Sequence, residues 1–257
     1  MGSPADSNRV VRARLLRYEG GMPKRFVKTG RWIRRFFSFV WKAAAALILL
    51  SAGLVLLLRW VDPPTSAFML RQRMSGIPVD YRWVAMERIS PSAALAVIAS
   101  EDQRFFDHWG LDLKAIADAV EENRRRKRPR GASTISQQVA KNLFLWPGRS
   151  YLRKTCEVYF TLIMEACWTK RRILEVYLNI AEMGRGVFGV EAATQRFFHK
   201  PAARLSAGES AALAAVLPNP KRLHADRPSD YVRNRTWQIL QQMNGLGGTG
   251  FLSRNLR

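Results

Sequence analysis

The densest apolar pattern lies near the N-terminus, where Ala43 to Leu58 reads AAAALILLSAGLVLLL, 16 residues without a charge. It begins earlier, with Phe36, Phe37, Phe39, Val40 and Trp41, interrupted only by Ser38 and Lys42. A helix from Phe36 to Leu58 would rise about 34 Å, enough to cross a hydrocarbon core. Lys42 lies near one end, where its stem can run along the helix and carry the ammonium to the interface. Trp32, Trp41 and Trp60 flank the stretch as an aromatic belt would. A cleaved signal has a shorter core and a small-residue cleavage site. Here Arg59-Trp60-Val61-Asp62-Pro63 follows, so a retained single span over 36–60 is expected.

Beyond the span the pattern is helical. Residues 62–90, with Pro63-Pro64 and Gly76-Ile77-Pro78, read as a linker into a domain. Ser90-Pro91 opens a helix, Ser as cap and Pro in the first turn, which should run through AALAVIASEDQRFF and stop near His108-Trp109-Gly110. A short helix over LDLKAIADAVEENR follows. Ser133 and Thr134 with Gln137 start another, to about Leu145, and Pro147-Gly148 breaks it. Residues 150–182 give one or two helices, and Gly184, Gly186 and Gly189 a loop. Further helices are expected near 189–199, 206–217 and 229–243, and a loose tail from Gly245 to Gly250 onward. No alternating strand of any length appears, though a short hairpin has room within 62–85. The organisation predicted is a basic arm 1–35, a span 36–60, one mainly α domain 61–245 and a tail 246–257.

Charge then orients the chain. Of its 257 residues 42 are Lys or Arg and 20 Asp or Glu, a net of +22. Ten basic residues and two acids precede Phe36, which by the positive-inside rule places the arm in the cytoplasm. Residues 60–257 are then exported, with 30 basic and 18 acidic residues. An exported basic domain does not meet the genome, so nucleic acid is not the expected partner; anionic lipid is. Two cysteines and three histidines exclude a disulfide scaffold and a multi-cysteine zinc or iron–sulfur protein. Cys156 and Cys167 fall in one predicted helix, about 16 Å apart, too far to bridge. No GxxxxGK[ST] or GxGxxG is present.

Three clusters carry candidate chemistry. In Glu101-Asp102-Gln103-Arg104-Phe105-Phe106-Asp107-His108, the residues Glu101, Phe105 and His108 are spaced i, i+4, i+7 and would share a helix face. A carboxylate ending an apolar helix has the surroundings that raise its pKa into the range of a working base; a surface acid pair is the alternative. In the second cluster, Gly131 with Ser133 and Thr134 at a helix N-terminus offers free amides to an anion. Thr134, Gln138 and Lys141 continue as one polar stripe, a cradle for a diphosphate, unless the pattern is only a capping box. In the third, Arg171 and Glu175 are i, i+4, which alone would be a surface ion pair. Between the first two clusters, Arg124 to Arg130 holds six basic residues in seven. It reads as a solvated loop placed to close over a cleft between them.

Together the clusters resemble the signature motifs of the family-51 peptidoglycan glycosyltransferases. EDxxFxxHxG stands as Glu101 to Gly110 and G(A/G)STIxQQxxKN as Gly131 to Asn142, with Arg149 following. The (K/R)(R/D)xILExYLN segment stands as Arg171 to Asn179, and the glycine loop and Leu217-Pro218-Asn219-Pro220 also match. The likeness covers about residues 62–243; Ser136 stands where many members have Thr. The chain ends near 257, which leaves no room for the transpeptidase domain of bifunctional members, so a monofunctional member is expected.

The resemblance implies a lysozyme-like helical fold. It implies polymerisation of lipid II onto a lipid-linked glycan strand, forming β-1,4 links with inversion and releasing undecaprenyl diphosphate. It implies Glu101 as general base and Glu175 as a second required carboxylate. Asp102, Phe105, His108, Ser133, Thr134, Gln137, Gln138, Lys141, Arg149, Arg171 and Asn179 match substrate-binding or positioning sites. No cofactor is expected to be required and no closed protein metal site is visible, although two acids and a diphosphate could share a divalent cation, Mg or Mn. Expected partners are lipid II, membrane lipids and other cell-wall synthesis proteins, at the bacterial inner membrane with the catalytic domain periplasmic. The alternatives are a lysozyme-like enzyme that cuts the same polymer, a hydrolase or lytic transglycosylase, and an inactive membrane-bound scaffold. A cleaving enzyme needs an acid for the leaving sugar and no diphosphate cradle.

Overall fold

The computed structural model describes residues 25–125, 133–148 and 150–256, with the side chains of 25–31, 120 and 123–125 left aside. The helices are α1 (Arg25–Leu57), α2 (Ala67–Met74), α3 (Pro91–Glu101), α4 (Leu113–Arg125), α5 (Ile135–Phe144), α6 (Tyr151–Cys167), α7 (Lys170–Ile180), α8 (Val190–Phe198), α9 (Ala207–Val216), α10 (Asp230–Gly245) and α11 (Gly250–Asn255). Short strands are β1 (Asp80–Tyr81), β2 (Glu182–Gly184) and β3 (Val187–Phe188). The chain is mainly α, as its periodicity requires.

The chain divides into two compact units at Ser51/Ala52. In the first, α1 runs without a break and exposes Trp32, Phe36, Phe37, Trp41, Leu49 and Leu50. Residues Trp32–Leu57 of α1 are long and apolar enough to cross a membrane.

In the second unit the core forms because α3 and α9 are almost wholly apolar. Ala93 through Ala99 are all buried, as are Ala211 and Leu213 through Val216. Helices α3, α9 and α10 pack together, and α5 packs on α6 and α7. The start of α5 is dictated locally. Thr134 accepts from the Gln137 amide through its hydroxyl, while the Gln137 side chain accepts from the Thr134 amide, a complete capping box. Ser90 precedes α3 but does not cap it; its hydroxyl donates to the Leu205 carbonyl instead.

Three expectations are corrected. The glycine loop is not wholly irregular: β2 and β3 form an antiparallel hairpin there, and β1 joins β3 in parallel, giving the order β1-β3-β2. Gly186 makes the turn at φ 74°, where a Cβ would meet the Pro78 carbonyl oxygen at 2.3 Å. The helix through Glu101 stops there rather than near His108, because Asp102 turns to φ −161°. The segment after Gly245 is not loose, since α11 docks and buries Leu252. The arm before Arg25, Gly131-Ala132, Arg149 and the basic loop from residue 126 to 130 lie outside the described residues.

Candidate active site

Glu101 is the last residue of α3. A buried apolar helix delivers its carboxylate to a place where most of the group is withdrawn from water, although part of the residue still reaches the surface. Its Oε2 accepts from Gln138 Nε2 at 2.7 Å. Tyr177, 1% exposed, donates its hydroxyl to Gln138 Oε1 at 3.2 Å. A donor on the carbonyl end of the amide turns its NH2 end toward Glu101, so Tyr177 sets how Gln138 faces the carboxylate. Burial pushes the Tyr177 hydroxyl well above its ordinary value, helped by the charges of Glu101 and Asp102, so it stays a donor. Among the described residues no protein donor reaches Glu101 Oε1.

Burial raises the Glu101 pKa. The Gln138 hydrogen bond and the charges of Arg235 and Lys141 oppose that rise, and Asp102 adds to it. Arg235, on α10, donates to the carbonyl of the neighbouring Ser100. Lys141, on the same helix as Gln138, is half-buried, with its ammonium 5.9 Å from the Phe68 ring centre. Its pKa is lowered by burial, against which the Glu157 and Glu101 charges work. Among the described residues it makes no ion pair.

The structure brings Glu101, Gln138 and Lys141 together, as the motifs predict, but places their neighbours in the frame around them. The i, i+4, i+7 face of Glu101, Phe105 and His108 does not form, because the helix ends at Glu101. Asp102 instead reaches across 33 positions, accepting from the Ile135 amide that opens α5 at 3.0 Å. Its two oxygens also meet His108 Nε2 at 3.0 and 3.2 Å. Thr134 donates to the Gly110 carbonyl at 2.6 Å, so its hydroxyl is occupied at both ends. Asp102, His108, Thr134 and Gln137 are all buried, and Ser133 is exposed. Phe105 is fully buried, with the Lys170 ammonium 4.7 Å from its ring centre. Lys170 also donates to the His108 carbonyl and to Glu165, which accepts from Ser136.

The pair Arg171–Glu175 does not form. Arg171 is 42% exposed and pairs with Glu87 at 2.5 Å. Glu175 pairs with Arg172 at 2.6 Å and accepts from the Met86 amide at 2.9 Å. Three residues along a helix bring Arg172 onto the Glu175 face as well as four would, and Arg171 points to a different segment. Asn179 is fully buried and clips residue 84: it accepts from the Val84 amide and donates to the Val84 carbonyl, both at 2.9 Å. Sequence reasoning missed Tyr177, Lys170, Glu165 and Arg172. Glu165 did carry a signal, a lone acid inside the apolar run TLIMEACW.

Asp102, His108 and Asp112 bring ligand-type atoms within 4.8 Å of one another. Several of these atoms already have partners, although His108 Nδ1 is buried without one among the described residues. Asp102 serves Ile135 and His108, while Asp112 serves Arg104 at 3.1 Å and the Ala115 amide at 2.9 Å. The three side chains form a buried knot that ties the residue after Glu101 to the start of α5.

A family model described as Transglycosylase matches residues 71–244. The chain is 52% identical over 242 residues to the biosynthetic peptidoglycan transglycosylase of Klebsiella oxytoca, covering 91% of this chain and 99% of the relative. It is 51% identical, with the same coverage, to the proteins of that name from Salmonella enteritidis PT4 and Salmonella typhi.

Proposed function

The chain belongs to the transglycosylase family and is a peptidoglycan glycosyltransferase, and from that premise we propose that Glu101 is its general base and Lys141 its principal charge at the leaving group. The acceptor's 4-hydroxyl attacks C1 of the lipid-linked donor. Glu101 Oε1 takes the hydroxyl proton, the new C1–O bond forms on the opposite face, and the bond to the lipid diphosphate breaks with its electron pair. A sugar hydroxyl is a poor nucleophile, so proton removal must accompany attack. The diphosphate gathers negative charge as it leaves, so a half-buried ammonium with no ion pair among the described residues stabilises that state more than the ground state. Arg171 would have to release Glu87 to join it; Arg149 is expected at the same place by its motif.

One observation carries this reading: a carboxylate at the end of a buried helix, its proton affinity raised, with, among the described residues, no donor on one oxygen and an ammonium without an ion pair in its field. The cleaving alternative is set aside by the family. The substrate is lipid II, the site is the bacterial inner membrane, and the basic arm lies in the cytoplasm with the catalytic unit outside. The ten basic residues before Phe36 support that orientation.

The test is polymerisation of labelled lipid II by the full chain in vesicles across a pH series. Glu101 must be ionised to act, so rate should fall on acidification with a midpoint above 4.5, the ordinary glutamate value. A midpoint at or below 4.5 would assign the base to another group.

A further inference from the structure

The peptide that follows the apolar helix is gripped by the helix that carries Glu175. Val55 lies in the last turn of α1, where carbonyls have no partner within the helix. Trp168, just before α7, donates its indole Nε1 to the Val55 carbonyl at 2.8 Å; Trp168 is 5% exposed and Val55 fully buried. One turn on, Arg172 Nε and Nη2 donate to the Leu58 carbonyl at 3.2 and 3.1 Å, and Nη2 also to the Val61 carbonyl at 2.9 Å. Its Nη1 donates to Asp62 at 2.9 Å and to Glu175 Oε2 at 2.6 Å. A guanidinium has five N–H donors, and here every one is engaged. The group also lies 5.1 Å from the Trp83 ring centre, and the side chain is 11% exposed.

This arginine therefore has no donor left for a substrate phosphate. It spends its fork on joining Glu175 to three points of the exit peptide, while the Met86 amide holds the other Glu175 oxygen. We propose that the exit peptide, residues 55–62, is a working part of the catalytic frame, and that Trp168 and Arg172 are positioning residues that set Glu175 by the end of the apolar helix. The proposal rests on reading Glu175 as a carboxylate required for transfer. Lipid-borne substrates are held by the bilayer. A carboxylate referenced to the point where the chain leaves the apolar helix is referenced to those substrates as well. A lysine could supply charge at this place but not a planar fork.

The test uses the full chain in phospholipid vesicles with lipid II, comparing Trp168→Phe, Arg172→Lys and Glu175→Gln, with Tm measured for each. Trp168→Phe removes one hydrogen bond to the exit peptide and touches neither Arg172 nor Glu175. It should lower kcat about fivefold with KM within about twofold. Arg172→Lys should lower kcat more than about thirtyfold, again with KM little changed. Should Arg172→Lys fail to fold, Trp168→Phe decides alone. Wild-type kcat in the folded clamp variants, with Glu175→Gln inactive, would overturn the proposal and leave the clamp a purely structural joint. A loss confined to KM would overturn it by placing these residues at the substrate. Full activity of Glu175→Gln would instead remove the role of Glu175 on which the proposal rests, and the proposal with it.

Discussion

Replacing Glu101 by Gln should make the protein inactive and, at neutral pH, more stable. Gln keeps the shape and can still accept from Gln138, whose Nε2 now donates to Oε2 at 2.7 Å; it loses only the charge and the basicity. Burial raises the pKa of Glu101 above 4.5, so the folded protein binds this proton more tightly than the unfolded chain does. The sign follows. The group contributes stability that is fully present below 4.5 and is lost as pH rises through the raised value, where the carboxylate must ionise in place. Wild type carries that loss at neutral pH and the Gln variant does not. Each tenfold gain in proton affinity corresponds to about 1.4 kcal/mol, and 1 kcal/mol moves the Tm of a domain this size by about 2–4 °C, so the effect is readable. Turnover should fall by about 10²- to 10⁴-fold, the usual worth of a positioned base. Calorimetry of both proteins at pH 4 and pH 7.5 tests the first half: the Tm difference should appear only at pH 7.5. A variant less stable than wild type at pH 7.5, or one retaining more than about a tenth of the rate, would refute the reasoning.

Lys141→Ala should reduce polymerisation by about 30- to 1,000-fold through loss of charge at the leaving diphosphate, with lipid II binding affected less; unchanged turnover with weaker vesicle binding would place Lys141 at the lipid surface instead. Asp102→Ala should destabilise the fold by about 3–5 kcal/mol, because it strips a buried carboxylate from the Ile135 amide and from His108. Denaturant titration reads it, and an unchanged midpoint with abolished turnover would mean that Asp102 works at the substrate.

Where local chemistry decides structure, the sequence was enough. Thr134 and Gln137 read as a helix start because a capping box needs only residues three apart. The run Ala93 to Ala99 read as a buried helix because nothing in it tolerates water. Long-range bonds were not legible in this way. Nothing near Asp102 says that its carboxylate belongs to an amide 33 positions on, so the helix seemed to continue through Phe105 and His108. The spacing of Arg171 and Glu175 suggested a pair. Glu87 takes Arg171 from 84 positions away, and Arg172, equally well placed on the helix, takes Glu175. The hairpin over 182–188 was hidden because strands of three and two residues show no alternation. The docking of α11 was hidden because six residues after a glycine-rich stretch read as tail.

On the proposed reading, the two carboxylates divide the work by what surrounds them. Glu175 has both oxygens taken, one by the Met86 amide and one by Arg172. Each Glu175 oxygen is thus held by a donor from a different element, which fixes the plane of the carboxylate. Among the described residues Glu101 has no ion pair; its one side-chain bond there is to an amide, and no protein donor reaches its second oxygen. Withdrawal from water makes its proton affinity high and the charged form reactive. The two glutamates, one ending α3 and one inside α7, thus differ in their contacts, and the proposed division of roles follows that difference. The link between them is Tyr177, two positions after Glu175, whose hydroxyl aims the Gln138 amide at Glu101. Any shift of α7 would therefore move the Glu175 carboxylate and the orientation of Gln138, the donor to Glu101, together.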